Sequence, residues 1–301
     1  MTIPTTFGFH TTATEAATHY KDEISGKTIL ITGVSPNGLG AEAAMSIAKS
    51  QPKLLILAGR SIEKITKSQE EIKRVAPEVE TKLLILDLAS FKASKKAAEE
   101  VLSWNIPVDV LINNAGVMAI AERTLSEDGY EIQLASNHLG PFIFTNTVLP
   151  ALRRSNSPRI VVVSSYGHHF SDVIYDDPKA EQSYDKWKSY GSTKTANILF
   201  AVALTKRGIT SSALHPGGIR TELLRHLSRE DELAMDFDKW TFKNLEEGAS
   251  THIVAAFEPS LKGGEYLDDC QIQPDHEEYA VNPDNAEKLW KLSNEWTGSS
   301  F

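Results

Sequence analysis

Short runs of branched apolar residues recur along this chain, at 28–32, 54–58, 83–86, 108–112, 159–164 and 210–214. None alternates apolar with polar residues, the mark of strands buried on both faces. Between them lie stretches of helical periodicity at 39–49, 62–75, 91–103, 129–154 and 187–207. Strands joined through helices form a parallel sheet covered on both sides. The expected fold is therefore α/β: a single-domain, doubly wound parallel sheet with helices on both faces. At 301 residues, 41% of them hydrophobic, the chain can fill one such core. Residues 1–26 read as an N-terminal arm, in which Thr12 and Glu15 fit a capping box opening a short helix toward Tyr20. Residues 27–301 read as the domain.

Charge narrows the partners. The 40 acidic residues exceed the 31 basic ones, for a net charge of -9. With no Lys/Arg cluster, neither nucleic acid nor an anionic membrane is expected as main partner. The lone Cys270 forbids an internal disulfide and reads as a packed side chain. No apolar run approaches the roughly 18 residues of a membrane span, and the N-terminus lacks a basic start followed by an apolar segment. The expectation is a soluble, cytoplasmic protein acting on a small molecule, with no metal site.

Two segments break the alternation. Residues 166–186 are polar and read as a loop. Residues 220–239 mix Leu223, Leu224, Leu227, Leu233 and Met235 with charge and read as an amphipathic lid. Segments that follow strands of a doubly wound sheet lie where ligands bind.

The strand ends carry the chemistry. The first runs into Thr32-Gly33-Val34-Ser35-Pro36-Asn37-Gly38-Leu39-Gly40. Such a turn lets backbone approach a pyrophosphate that a helix N-terminus attracts, making Gly33, Ser35, Asn37, Gly38, Leu39 and Gly40 candidate cofactor contacts. A tight turn needing positive φ is the alternative. After the second strand, where an NAD site carries an acid, stands Arg60. A guanidinium can hold a 2′-phosphate bidentately, so NADP(H) is favoured over NAD(H). Asp87, with Leu88, ends the third strand and can meet an adenine amine or cap the next helix. Asn114, Ala115 and Gly116 end the fourth, where small and amide residues suit a close backbone pass beneath the cofactor. Asn137 sits in a helical stretch four residues before Pro141, which disturbs the hydrogen-bond ladder and leaves polar backbone groups able to hold water. His138 beside it reads as a packed or exposed histidine. The fifth strand ends in Ser164-Ser165.

Tyr190 and Lys194 lie four residues apart on a helix, hence on one face. A nearby ammonium lowers a phenol pKa of about 10, toward a group that moves protons near neutrality. A half-buried ring and a solvated amine are the alternative. Taken together, Ser165 would hydrogen-bond a substrate carbonyl and Tyr190 protonate the developing alkoxide. Lys194 would tune Tyr190 and bind cofactor ribose, and Asn137 would hold a water that refills the proton. The chemistry is hydride transfer.

Over nearly its whole length the chain resembles the short-chain dehydrogenase/reductase superfamily, within it the retinol-dehydrogenase and WW-domain-oxidoreductase-like branch and its soluble fungal reductases. The resemblance is carried by the glycine turn, Asn113-Asn114-Ala115-Gly116, Asn137, Ser165, Tyr190-Lys194, His215-Pro216-Gly217 with Thr221, and a tail containing Glu247-Gly248-Ala249 and 264–270. It implies a Rossmann-like fold and a catalytic tetrad of Asn137, Ser165, Tyr190 and Lys194. It prefers Ser165 to Ser164, puts Ile219 and Thr221 at the nicotinamide carboxamide and Pro216 and Gly217 among the cofactor contacts, and agrees with NADP at Arg60. The glycine turn departs from the family pattern by one additional residue, which puts its individual phosphate contacts in question. Helices 129–154 and 187–207 form a dimer interface in many relatives, implying a homodimer unless the N-terminal arm covers that face. The implied function is an NADP-dependent oxidoreductase interconverting a carbonyl and an alcohol on a small to medium, partly apolar molecule, as a reductase. A non-redox or cyclising biosynthetic enzyme and a nucleotide-sensing binding protein are the alternatives on this scaffold.

Overall fold

Every residue of the first apolar run is buried, and its side chains divide between two cores. Leu30 packs with one cluster, Ile29 and Ile31 with the other. That division explains why the run shows no polar alternation. The computed structural model describes residues 2–301. The chain opens with α1 (Ala13–His19) and α2 (Lys21–Ile24). Then follow β1 (Thr28–Thr32), α3 (Leu39–Ala48), β2 (Leu54–Gly59), α4 (Ile62–Val75), β3 (Glu80–Ile85), α5 (Phe91–Ser103) and β4 (Val110–Asn113). The next crossover holds α6 (Ile132–Leu134), a π-helical turn over Ala135–Leu139, and α7 (Gly140–Leu152). After β5 (Arg159–Val163) come α8 (Lys186–Lys206) and β6 (Thr210–Leu214). The chain closes with α9 (Arg229–Ala234), α10 (Leu245–Phe257), β7 (Tyr266–Asp268), β8 (Gln271–Ile272), α11 (Glu278–Val281) and α12 (Pro283–Thr297).

The strands form one sheet in the order β3-β2-β1-β4-β5-β6-β7-β8. All pairings are parallel except the terminal β7–β8 pair. This is the doubly wound, Rossmann-like arrangement. The order reverses between β1 and β4, so a crevice opens beyond their carboxyl ends.

The stretch 129–154, read from sequence as a helix whose hydrogen-bond ladder Pro141 disturbs, is helical from Ile132 to Leu152, with a π-helical turn over Ala135–Leu139 just before Gly140 and Pro141. This turn sets Gly140 directly against the Leu88 carbonyl, in space a side chain would fill.

A second departure concerns the arm. Its capping box at Thr12 and Glu15 forms as expected, but it does not lie on α7 and α8. The small stripe Ala13, Ala16 and Ala17 lets α1 settle against α3 and α10 on the other side of the sheet. Tyr20 locks it there by donating to Glu258 Oε2 at 2.8 Å. The α7–α8 face is covered instead by α12, whose Trp290 ring lies 5.0 Å from Phe142 and 6.1 Å from Phe200. Among the described residues, no helix is long and apolar enough to cross a membrane.

Candidate active site

The turn after β1 begins at Gly33, with φ +75°, where a methyl group would meet Ala115 Cα at 2.8 Å. The chain then closes a small loop in which Gly38 N donates to the Ser35 carbonyl at 3.1 Å. Asn37 takes a left-handed conformation, φ 59°, which asparagine tolerates better than most residues. The additional residue is absorbed within this loop. Gly38 caps α3 without a side chain, so the helix N-terminus can take an anion.

Beyond this turn lies a cleft of about 470 Å³ crossing the switch point. Gly33, Ser35, Asn37, Gly38, Leu39, Arg60, Asp87, Leu88, Asn114, Ala115 and Gly116 line its first half. Ser165, Tyr190, Lys194, Pro216, Gly217, Ile219 and Thr221 line the second. Gly40 and Asn137 stand behind the wall. Without a Cβ, Gly40 admits the Asn114 amide and the Gly33 carbonyl; a methyl group there would lie 2.6 and 2.7 Å from them.

The asparagine after β4 works as a stitch. Asn114 Nδ2 donates to the Thr32 carbonyl at 2.9 Å, its N–H donates to Thr32 Oγ1 at 3.0 Å, and His252 Nε2 lies 3.2 Å from Oδ1. These contacts fix the adjoining ends of β1 and β4 across the crevice. Asp87 accepts from Ala89 N at 3.1 Å, while the cap of α5 is Ser90.

At the other half, the two serines after β5 part company. Ser164 Oγ donates to the Lys194 carbonyl at 2.7 Å and is used up in the fold. Ser165 stands beside Tyr190 and lowers its phenol, and its Oγ accepts from Gly167 N at 3.1 Å. Gly167 lies so close to the Tyr190 ring that a methyl group would come within 2.8 Å of it.

Tyr190 and Lys194 share a helix face but not the expected electrostatics. Only 4% and 5% of their surfaces are exposed. Burial pushes the phenol up to about 12, opposed only by the Ser165 hydrogen bond, and pushes the ammonium down to about 8. Lys194 Nζ donates to the Val163 carbonyl at 3.1 Å and lies 5.5 Å from the Tyr190 ring centroid. The spacing argument expected the lysine to lower the phenol. Desolvation prevails because the ammonium sits over the ring and spends a donor on backbone.

Asn137 is likewise committed. Its Oδ1 accepts from Val117 N at 2.8 Å, and its Nδ2 donates to the Val117 carbonyl at 2.9 Å and to Thr193 Oγ1 at 3.0 Å. The amide anchors the segment after β4 behind Gly116, where a methyl group would lie 3.2 Å from Asn137 Oδ1 and 3.6 Å from Lys194 Nζ. Both amide hydrogens of its side chain are therefore spent within the fold, which leaves the backbone as the place for the expected water.

The loop after β6 rests on a lysine that sequence reading missed. Lys243 is buried, pairs with Asp269 Oδ1 at 2.6 Å and donates its N–H to the Gly218 carbonyl at 2.9 Å. Gly217, with φ +94°, passes over its stem. A lysine among surface-type residues gives no sequence signal of such burial. Also missed was the aromatic wall at the substrate end, where Phe170, Trp187, Trp240 and Phe242 join Met118, Leu223 and Leu224. The run Trp240-Thr241-Phe242 just past the lid was a readable hint. The lid itself comprises two 3₁₀ turns flanking α9, tied to α8 by a Lys186–Asp231 ion pair of 2.5 Å.

The arrangement fits a dinucleotide: an anion-accepting helix end and a cation at one end, a buried proton donor beside an apolar chamber at the other. His138 is packed, 2.8 Å from Ser293 Oγ, and Cys270 is buried with its thiol pushed up. Among the described residues, no group of three or more His, Cys, Asp or Glu could hold a metal ion.

Comparison with known proteins agrees with this geometry. The short chain dehydrogenase family model matches residues 27–232. The short-chain dehydrogenase/reductase prx1 of Penicillium rubens is 36% identical over 299 residues, covering 90% of this chain and 85% of that protein. Retinol dehydrogenase 14 of Homo sapiens is 36% identical over 294 residues, covering 91% and 87%. The crystal structure of an uncharacterized Mycobacterium paratuberculosis protein matches with a TM-score of 0.71 at 30% identity, covering 92% of this chain and 96% of that one.

Proposed function

Because this chain belongs to the short-chain dehydrogenase/reductase family of oxidoreductases, we propose that it uses NADP(H) to interconvert a carbonyl and an alcohol on a small to medium, partly apolar molecule, working as a reductase. The observation that carries this reading is that Ser165 and Tyr190 line one cleft side by side, where a methyl group on Gly167 would lie 2.8 Å from the Tyr190 ring and 3.5 Å from Ser165 Oγ. The nicotinamide, when bound, supplies the hydride. The glycine turn and α3 would hold the pyrophosphate, Arg60 the 2′-phosphate, and Pro216, Gly217, Ile219 and Thr221 the carboxamide.

The side chains divide the remaining work. Ser165 donates to the substrate carbonyl oxygen and orients it. Tyr190, held at about 12, keeps its proton at neutral pH and gives it to that oxygen as negative charge develops. Lys194 binds ribose and faces the phenol with a positive end. Asn137 acts as a positioning residue through Val117. Residues 27–301 form the catalytic unit, with 1–26 as its arm and 220–239 as a lid excluding water.

Purified protein with NADPH or NADH and a panel of apolar ketones and aldehydes tests the reading. Wild type should turn over, faster with NADPH, giving products two hydrogens heavier. Tyr190→Phe should bind NADPH as wild type does and lose about 10²–10⁴-fold in kcat. Tight NADPH binding without turnover on any carbonyl overturns the proposal. A product differing by water points to the non-redox alternative.

A further inference from the structure

Two cations line the adenosine end of the cleft, and one already holds an anion. Arg60 follows β2 and forms no ion pair among the described residues. Lys64 lies one turn into α4, whose cap Ser61 accepts from its N–H at 3.3 Å. Both line the cleft. Lys64 Nζ reaches across it to Glu222 Oε2, 3.0 Å away and 158 residues distant in sequence. Glu222 follows Thr221 and opens the 3₁₀ turn that begins the lid. Its carboxyl is held below the usual range by Lys64, so it is an anion at neutral pH. A lid carboxylate therefore sits on one of the two cations that converge on a single end of the cleft.

We propose that Lys64 is the second cation of the 2′-phosphate site and that Glu222 is its built-in competitor, which the phosphate displaces and which NAD(H) leaves in place. An exposed ion pair is weak and easily exchanged. A phosphate carries more charge and more acceptor oxygens than a carboxylate, and an ammonium serves as a point charge for either. Displaced from Lys64, Glu222 faces the phosphate as a like charge, so the start of the lid is freed from α4. Occupation by NADP(H) is thereby exchanged for a lid contact one residue beyond Thr221.

The inference rests on the NADP reading, and calorimetric titration separates the two. The ligands are adenosine 2′,5′-bisphosphate and adenosine 5′-monophosphate, which differ only in the 2′-phosphate. Wild type should prefer the bisphosphate. Lys64→Ala should reduce that preference by about five- to tenfold, and Glu222→Gln should increase it by about three- to fivefold. The Glu222→Gln gain should vanish in the Lys64→Ala background, because the two side chains act on each other. Lys67→Ala, which removes an outward cation paired with Glu63, should leave the preference within about twofold of wild type. No preference in wild type overturns the NADP reading itself. A preference that neither Lys64→Ala nor Glu222→Gln changes, or a Glu222→Gln gain that persists without Lys64, overturns this inference alone.

Discussion

Ser164 and Ser165 are the same residue type at the end of the same strand, yet their hydroxyls have different work. Ser164 closes a buried hydrogen bond to the Lys194 carbonyl, whereas Ser165 meets Tyr190. Removing the first takes a buried hydrogen bond from a carbonyl that keeps its helical N–H partner in α8. Removing the second takes away a group that the proposed chemistry needs. Ser164→Ala should therefore lower unfolding stability by about 0.5–1.5 kcal/mol, with kcat little changed. Ser165→Ala should do the reverse, leaving the urea midpoint near wild type and cutting kcat/KM by about 10²-fold or more. Equal effects on both quantities from both variants would refute this division. Sequence position could not make it, because neighbouring serines differ only in which way the strand end turns them. The Tyr190–Lys194 spacing was legible for the complementary reason: helical geometry fixes it locally. The direction of the phenol shift was not legible, since desolvation belongs to the packed molecule.

At the scale of elements, the buried strands were readable because their apolar runs are short and uninterrupted, as at 28–32 and 54–58. The crossover at 129–154 was readable as a helix disturbed near Pro141, and the π-helical turn over Ala135–Leu139 stands there. Only tertiary contact shows what the position of Gly140 is for. There the backbone passes against the Leu88 carbonyl with no space for a side chain, joining α7 to the segment after β3 that borders the cleft. Gly140→Ala should cost about 3 kcal/mol or more, since neither backbone can yield without moving its element. Chemical denaturation measures it, and a loss below about 1 kcal/mol would show that the contact relaxes freely. α12 escaped the sequence reading although its signals were present, with Asn282 before Pro283 at its start and Gly298 at its end. The Lys243–Asp269 pair could not be read at all, because the two residues meet only through the path of β7.

For the whole molecule, α12 decides what the α7–α8 face can do. Trp290 packs between Phe142 and Phe200, and Phe301 closes over Phe142 at 5.6 Å. A dimer through this face would first have to remove that helix. Trp290→Ala should cost about 3–5 kcal/mol and make apparent mass rise with concentration in sedimentation, while wild type stays monomeric through this face; a wild-type dimer that the substitution dissolves would reverse the argument. The same packing sets the response to acid. His138 under α12 and His252 in α10 are buried on opposite sides of the sheet, with His168 and His215 near its carboxyl edge. Burial holds them at about 3, 4, 4 and 3 in that order. The unfolded chain takes up these protons near pH 6.5, whereas the folded chain refuses them until pH 3–4. Unfolding therefore binds protons below pH 6.5. The stability these groups contribute is complete above that value and falls as pH drops toward 4, by at most about 1.4 kcal/mol per pH unit for each histidine. Asp268, raised to about 6 by burial, works in the opposite direction, as do Glu42, Glu131 and Asp172, which burial also raises. The urea midpoint should thus fall steeply between pH 7 and pH 5. His138→Phe, which keeps an aromatic ring against Phe142 and Phe200, should make that slope shallower even if the lost Ser293 hydrogen bond lowers the midpoint at pH 7. A slope parallel to wild type would mean that His138 titrates alike in both states, and that α12 does not seal the core beneath it.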